Sequence, residues 1–196
     1  MLISFISLFV LFLIWSILML QKKLDHIDNQ CYSKIKITKL KTKIFKGLTF
    51  LASAKFVAIL CIILLIFIEN KRIPIAIIIN MLIMWGLIGI LKKTFKRERP
   101  NINRLVDEKG YSYPSGHTMT ATIFYGFIIF LIIISNLILP LKITLTTILV
   151  ILVLLVGYTR IYLGVHYLSD VIGALLFGSS YLLLYIFFTY FILNLI

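Results

Sequence analysis

A chain of 196 residues with 61% hydrophobic and 14% charged side chains is far more apolar than a soluble domain, at roughly 45 to 50%. That excludes disorder and argues against a soluble fold. The formal charge of +13 points to nucleic acid, a membrane surface or an anionic substrate, but the basic residues sit in short blocks between long apolar runs, so membrane embedding is expected and a nucleic-acid partner is not.

About 20 largely apolar residues let a helix cross the hydrocarbon, and six runs qualify. The first, Met1 to Leu20, carries no charge. It lacks the basic start and small-residue cleavage site of a secretory signal and is followed by Gln21, Lys22 and Lys23, so it is read as a retained helix. The second, Gly47 to Ile68, contains only Lys55, near enough to one end to snorkel. Between them, Lys34, Lys36, Lys39, Lys41, Lys43 and Lys46 alternate irregularly with Ile35, Ile37, Leu40, Ile44 and Phe45. This segment is either an interfacial helix on anionic lipid or a solvated basic loop. Cys31 and Cys61 form no disulfide framework or metal spacing.

Ile73 to Leu91, Thr118 to Leu141 and Ile143 to Thr159 are the third, fourth and fifth runs, and the sixth extends from Val171 toward the C-terminus. The fifth is short for a full crossing, which bilayer thinning can absorb. The expected architecture is one all-α, six-span membrane domain over residues 1–196. Six crossings put the loops after spans one, three and five on one face and both termini on the other.

Polarity on that first face is concentrated. The third loop carries Lys92, Lys93, Lys96, Arg97, Arg99, Arg104 and Lys109, and the fifth carries Arg160, His166 and Asp170. Lys92 precedes Arg99 by seven residues, with Pro100 next. Two cations nearly two helical turns apart can flank an anion if the intervening chain is helical, or form a solvated basic collar. Pro114, Ser115, Gly116 and His117 directly precede an apolar run. Ser115 offers a hydroxyl, Gly116 admits close backbone approach, and the amides at a helix start can hold phosphate. A plain turn and cap explains these three residues equally. His117, at the membrane boundary, is placed to pass a proton to a leaving oxygen.

Arg160 precedes His166 by six residues and His166 precedes Asp170 by four, one helical face if that stretch is helical. Asp170 can then take the proton of one imidazole nitrogen and aim the other at an electrophile; the bland alternative is a structural His-Asp bond. An anion site with two histidines and a carboxylate fits phosphoryl transfer to histidine and then to water. Tyr158, Tyr162 and Tyr167 read as interfacial rings, and Gly157, Gly164, Gly173 and Gly178 as points of close helix approach.

These residues resemble the type 2 phosphatidic acid phosphatase (PAP2) family, related to vanadium-dependent haloperoxidases. Lys92, Arg99 and Pro100 match its first motif, Lys-x6-Arg-Pro, and Pro114 to His117 match Pro-Ser-Gly-His. Thr159, Arg160, His166 and Asp170 match Ser-Arg-x5-His-x3-Asp, with Thr159 where serine is usual. The motifs span residues 92–170, and the six-run pattern extends the resemblance over nearly the whole chain. The resemblance implies a PAP2/haloperoxidase-like helical core in which Lys92, Arg99 and Arg160, with Ser115 and backbone near Gly116, bind phosphate. It further implies that His166 attacks phosphorus, His117 protonates the leaving oxygen and Asp170 orients His166.

No metal or other cofactor is expected, because the basic residues supply the electrostatic stabilisation. The implied substrate is a membrane lipid phosphate or diphosphate, held with its tail in the bilayer: phosphatidic acid, phosphatidylglycerophosphate or a polyprenyl diphosphate. Alternatives are a dedicated undecaprenyl-diphosphatase and a nonenzymatic lipid head-group transporter. The family implies cytoplasmic termini and an extracytoplasmic site, whereas the positive-inside rule puts the Lys- and Arg-rich face in the cytoplasm.

Overall fold

In a computed structural model, which describes residues 1–101 and 104–192, eight α-helices follow one another in the chain: α1 (Leu2–Leu20), α2 (Asp25–Ser33), α3 (Lys39–Phe50), α4 (Ala54–Phe67), α5 (Arg72–Phe95), α6 (Gly116–Ile134), α7 (Leu139–Tyr162) and α8 (Leu168–Ile186). A π-helical turn, Phe187–Ile192, extends α8. Five helical segments are long and apolar enough to span a bilayer, and the bent pair α3–α4 brings the total to as many as six among the described residues. The end of the sixth run, at 193–196, lies outside the described residues.

Three expected boundaries shift. The second run does not form one straight helix: α3 starts earlier, at Lys39, and is bent by 46° from α4. Thr38 caps α3 by accepting from Lys41 N, and Ser53 caps α4 by accepting from Phe56 N. These caps make a separate helix start on each side of the bend. Tyr125 Oη donates to the Leu51 carbonyl at 2.7 Å, meeting the requirement that backbone freed inside a membrane find a partner in the protein. The fourth run ends sooner, at Ile134, where Ser135 breaks the helix. The fifth is not short: α7 runs 24 residues, Leu139 to Tyr162, about 36 Å at 1.5 Å per residue. Lys142 does not delimit it, because its ammonium reaches back to the Ile133 carbonyl at 2.8 Å.

The core forms where α6 packs against α5, α7 and α8, with α1 against α8. The first half of α6, Thr118 to Tyr125, is buried throughout. Two of its hydroxyls are satisfied locally, Thr122 Oγ1 on the Thr118 carbonyl and Thr118 Oγ1 on Ser115 Oγ. On α1, Phe12 meets Phe177 edge-on at 5.0 Å, and Trp15 Nε1 donates to the Ser169 carbonyl. The outward faces of α1, α4 and α7 expose Ile, Leu and Val, including Ile14, Ile62, Ile148 and Leu154. Such continuous apolar surface suits lipid and not water.

The chain alternates through the bundle so that the C-terminal ends of α1, α5 and α7 and the N-terminal ends of α6 and α8 share one face with α2. Backbone ties hold that face together: Leu105 N donates to the Leu163 carbonyl, Ser112 N to Arg97 O, and Ser115 N to Asp170 O.

Candidate active site

Lys92 lies in the last turn of α5, which ends at Phe95 because Lys96 takes a left-handed conformation, φ 47°. The segment from Lys92 to Arg99 is therefore not one helix. The chain turns at Lys96 and brings Arg99 back over the end of the bundle. Lys92 faces the start of α6: a Cβ placed on Gly116 would sit 3.9 Å from Lys92 Nζ. Ser115, the residue before α6, is buried and accepts from Thr118 Oγ1 at 2.9 Å. His117, in the first turn of α6, is partly exposed.

Arg160 lies in the last turn of α7 and is almost wholly buried. It donates through Nη2 to Glu108 Oε1 at 2.6 Å and through Nη1 to Thr49 Oγ1 at 3.0 Å, leaving Nε without a partner among the described residues. The Glu108 carboxylate also lies 4.0 Å from Arg99 Nη2. Arg99 is tied to the carbonyls of Gly110, Val165 and Lys109, and its Nη1 lies 3.3 Å from His166 Nε2. Thr159 is buried with its hydroxyl on the Val156 carbonyl, a local bond that accommodates threonine in the serine position.

His166 does not share a helix with Asp170. The chain leaves α7 through Gly164, whose φ of 73° favours glycine, and α8 begins only at Leu168. Asp170 caps the first turn of α8, its Oδ2 accepting from Tyr167 N at 2.9 Å, and the same oxygen lies 3.4 Å from His166 Nδ1. That nitrogen has no hydrogen-bond partner among the described residues, so the separation is an electrostatic contact. Acceptance by Nε2 from Arg99 requires the imidazole proton on Nδ1, facing Asp170. Burial, then the charges of Arg160, Arg99 and Lys92, push His166 well below its ordinary pKa, with Glu108 opposing. Burial raises the Glu108 carboxyl, but Arg160, His117 and Arg99 outweigh it and hold the group below its ordinary value.

Sequence reasoning missed Glu108, Thr49, Asp28 and Ser169 as parts of this region and gave Arg97 no role beyond the basic loop. Arg97 Nη1 donates to Asp170 Oδ1 and Ser169 Oγ, both at 2.6 Å, and Nη2 to Asp28 Oδ2 at 2.8 Å. The available signal was scarcity: in a chain with only seven acidic residues, each carboxylate in a polar block is a candidate partner for a buried cation. Tyr162 and Tyr167 are engaged by protein partners. Tyr162 is buried with Phe45 edge-on at 4.7 Å and its hydroxyl on Thr38, and Tyr167 lies against the Arg97 guanidinium, 4.1 Å from the ring centre. Tyr158 is exposed. Among the described residues, no three His, Cys, Asp or Glu side chains are grouped to hold a metal ion.

Fold and site together define an all-helical, multi-pass membrane protein with a cluster of cationic and histidine side chains at one face of the bundle. Residues 73–193 match the PAP2 superfamily, and the chain belongs to that superfamily. Over 103 residues it is 35% identical to phosphatidylglycerophosphatase B of Bacillus subtilis (strain 168), a match covering 50% of this chain and 51% of the relative. The chain thus spans about half the length of that curated relative in sequence. In structure it resembles a transmembrane PAP2-type phosphatidylglycerolphosphate phosphatase from Bacillus subtilis, with a TM-score of 0.83 at 26% identity over 96% of this chain and 97% of that one. It also resembles Aquifex aeolicus LpxE, with a TM-score of 0.66 at 25% identity over 82% and 93% of the two chains. The PAP2/haloperoxidase-like helical core expected from the motifs is the observed fold.

Proposed function

We propose that this protein hydrolyses the terminal phosphate of a membrane lipid phosphate or diphosphate. The observation that carries the reading is the carboxylate of Glu108 bracketed by Arg160 at 2.6 Å and Arg99 at 4.0 Å, with that same Arg99 3.3 Å from His166 Nε2. An anion is already accommodated there beside a neutral imidazole. A substrate phosphate displacing that carboxylate meets Arg99, Arg160 and Lys92, with Ser115 and the amides around Gly116 completing its hydrogen bonds. Membership of the PAP2 superfamily supports the same reaction class.

His166 Nε2 attacks phosphorus and forms a P–N bond as the bond from phosphorus to the leaving lipid oxygen breaks. His117, protonated, gives its proton to that oxygen. Water then attacks the phosphohistidine, neutral His117 takes the water proton, and cleavage of P–N releases inorganic phosphate and restores both imidazoles. Asp170, 3.4 Å from Nδ1 in the resting protein, stabilises the Nδ1–H as positive charge develops on the ring. The three cations stabilise charge on the equatorial oxygens, so the scheme uses no metal ion. The lipid keeps its tail in the bilayer, since extracting it would cost about 0.8 kcal/mol per CH2.

Phosphatidylglycerophosphate, the lipid for which both the similar Bacillus subtilis sequence and the similar Bacillus subtilis structure are named, is the first substrate to test, followed by phosphatidic acid and undecaprenyl diphosphate. Purified protein releasing phosphate from at least one of them after exhaustive chelation supports the reading. Lipid translocation without hydrolysis across the panel replaces it with a transporter, and hydrolysis of undecaprenyl diphosphate alone narrows it to a dedicated diphosphatase. On the family expectation the active face is assigned to the extracytoplasmic side, with both described chain ends inside, and the opposing charge bias is discounted in part because phosphate binding would account for Lys92, Arg99 and Arg160. Impermeant labelling of cysteines introduced into the loops after α5 and α7 tests that assignment, and reaction only after permeabilisation reverses it.

A further inference from the structure

Asp28 is one of the most deeply buried charged side chains in the molecule, yet it belongs to α2, a nine-residue helix that precedes the stretch matched to the PAP2 superfamily. We infer that Asp28 and Arg97 are positioning residues for the phosphoryl-transfer centre, and that through them α2 is the outer support of the turn carrying His166 and Asp170. The inference rests on the proposed hydrolase reading.

Asp170 lies within the apolar start of α8, where a carboxylate free to rotate would not keep one oxygen toward His166. Two donors fix it: Arg97 Nη1 on Oδ1 and Tyr167 N on Oδ2, which leaves Oδ2 facing His166 Nδ1. Arg97 is fixed in turn. Its Nη2 donates to Asp28 at 2.8 Å, and its guanidinium lies against the Tyr167 ring. Asp28 accepts from Ser169 N at 2.9 Å and Ser169 Oγ at 2.6 Å. A second residue of α2 reaches the same turn, Tyr32 Oη donating to the His166 carbonyl at 2.6 Å.

Arg97 does not serve as a phosphate ligand in this arrangement. Both its terminal nitrogens are committed to two carboxylates and Ser169, which neutralise its charge, whereas Arg99 is hydrogen-bonded to neutral carbonyls and an imidazole, and Arg160 keeps an unpartnered Nε. Stability alone is a weak account of the cluster, because replacing a whole buried ion-pair network by packed apolar side chains is often neutral or stabilising. An arginine held between two carboxylates gives what apolar packing does not, a directional hold on one oxygen of Asp170. A cavity of about 420 Å³ lined in part by Lys22, Asp25, Asp28, Arg97 and Tyr167 opens onto the guanidinium, so a small cation can reach the position that Arg97 would vacate.

The test uses the full chain in lipid–detergent micelles and a lipid phosphate that the wild-type protein hydrolyses. Arg97→Ala should lower kcat about 100-fold, within the range for removal of an orienting hydrogen-bond partner, and leave KM nearly unchanged. Millimolar guanidinium should recover part of that kcat, Arg97→Lys should fall between the two, and Asp28→Asn should lower kcat about tenfold. A wild-type kcat in Arg97→Ala or Asp28→Asn overturns the inference. So does a rise in KM at constant kcat, which would make Arg97 a substrate ligand, or a loss of kcat that guanidinium does not relieve. If Arg97→Ala fails to fold, kcat of Asp28→Asn decides the matter. A wild-type protein that releases phosphate from no lipid removes the hydrolase reading, a result distinct from any difference among variants.

Discussion

Arg99 Nη1 lies 3.3 Å from His166 Nε2, the nitrogen whose lone pair a phosphorylated intermediate requires. In the resting protein that lone pair faces the Arg99 guanidinium; under the proposed reaction the same cation helps hold the phosphate, which would link substrate binding to exposure of the nucleophile. His166→Ala should reduce phosphate release by at least about 1,000-fold, the scale of losing a nucleophile, and abolish an acid-labile phosphoprotein trapped with radiolabelled substrate. His117→Ala should slow turnover of an ordinary lipid phosphate strongly but less so a substrate whose leaving group needs no proton. Equal losses on both substrates would remove His117 from the role of acid.

The pH dependence follows from the surroundings of His166. Burial and the neighbouring cations lower its pKa well below 6.5, so the nucleophilic neutral form persists through the neutral range and is lost only as pH falls through that depressed value. The acid limb of kcat/KM, which reports the free enzyme, should therefore lie well below pH 6.5. Measuring a monoester and a diphosphate separates this limb from ionisation of the substrate. Arg99→Gln, by removing one of the depressing charges, should move the limb upward. A limb at 6.5 shared by both substrates and unmoved in Arg99→Gln would assign it to another group.

Glu108 stands in competition with any anion that enters. Its carboxyl is held below its ordinary pKa chiefly by Arg160 against the effect of burial, so it is ionised at neutral pH and, under the proposed reaction, would move aside as phosphate arrives. Glu108→Gln should tighten inhibition by inorganic phosphate roughly tenfold, equivalent to about 1.4 kcal/mol, while lowering thermal stability by leaving Arg160 less compensated. Weaker phosphate inhibition in this variant would mean that Glu108 chiefly keeps Arg160 in its binding geometry.

The spans and the motif residues were legible because their signals are local: an apolar run needs no partner to be recognised, and Pro114 to His117 are contiguous. The helical relation expected for His166 and Asp170 was not. Their approach comes from the Gly164 turn and the cap at Tyr167, which spacing alone cannot distinguish from one helical face. Lys142 shows the opposite error, a charge read as the end of a span although its stem lets the ammonium return to a carbonyl of the preceding helix. Asp28 and Arg97 are 69 positions apart, and their pairing exists only once α2 folds back over the start of α8. The bend between α3 and α4 was hidden for a similar reason: a continuous apolar run does not record that Tyr125, on another helix, satisfies the broken backbone.

Gly173 makes a separate, structural prediction. It lies on α8 where the Tyr113 ring packs so closely that a Cβ would collide with the ring and its hydroxyl. Tyr113 is fully buried, stacks on Phe12, meets Phe95 edge-on, and shares a hydrogen bond of 2.8 Å with Ser16. It also directly precedes Pro114 and Ser115, so displacement of the ring is transmitted to the start of α6. Gly173→Ala should destabilise the protein by about 1–3 kcal/mol, the usual range for overpacking a filled core, although alanine favours a helix over glycine by about 1 kcal/mol. Thermal unfolding in detergent measures the loss. A companion Tyr113→Phe/Gly173→Ala variant should recover part of it, because removing the phenolic oxygen clears the nearest clash. A higher melting temperature for Gly173→Ala alone would show that the ring moves aside freely and that the α1, α6 and α8 contact is not closely packed there.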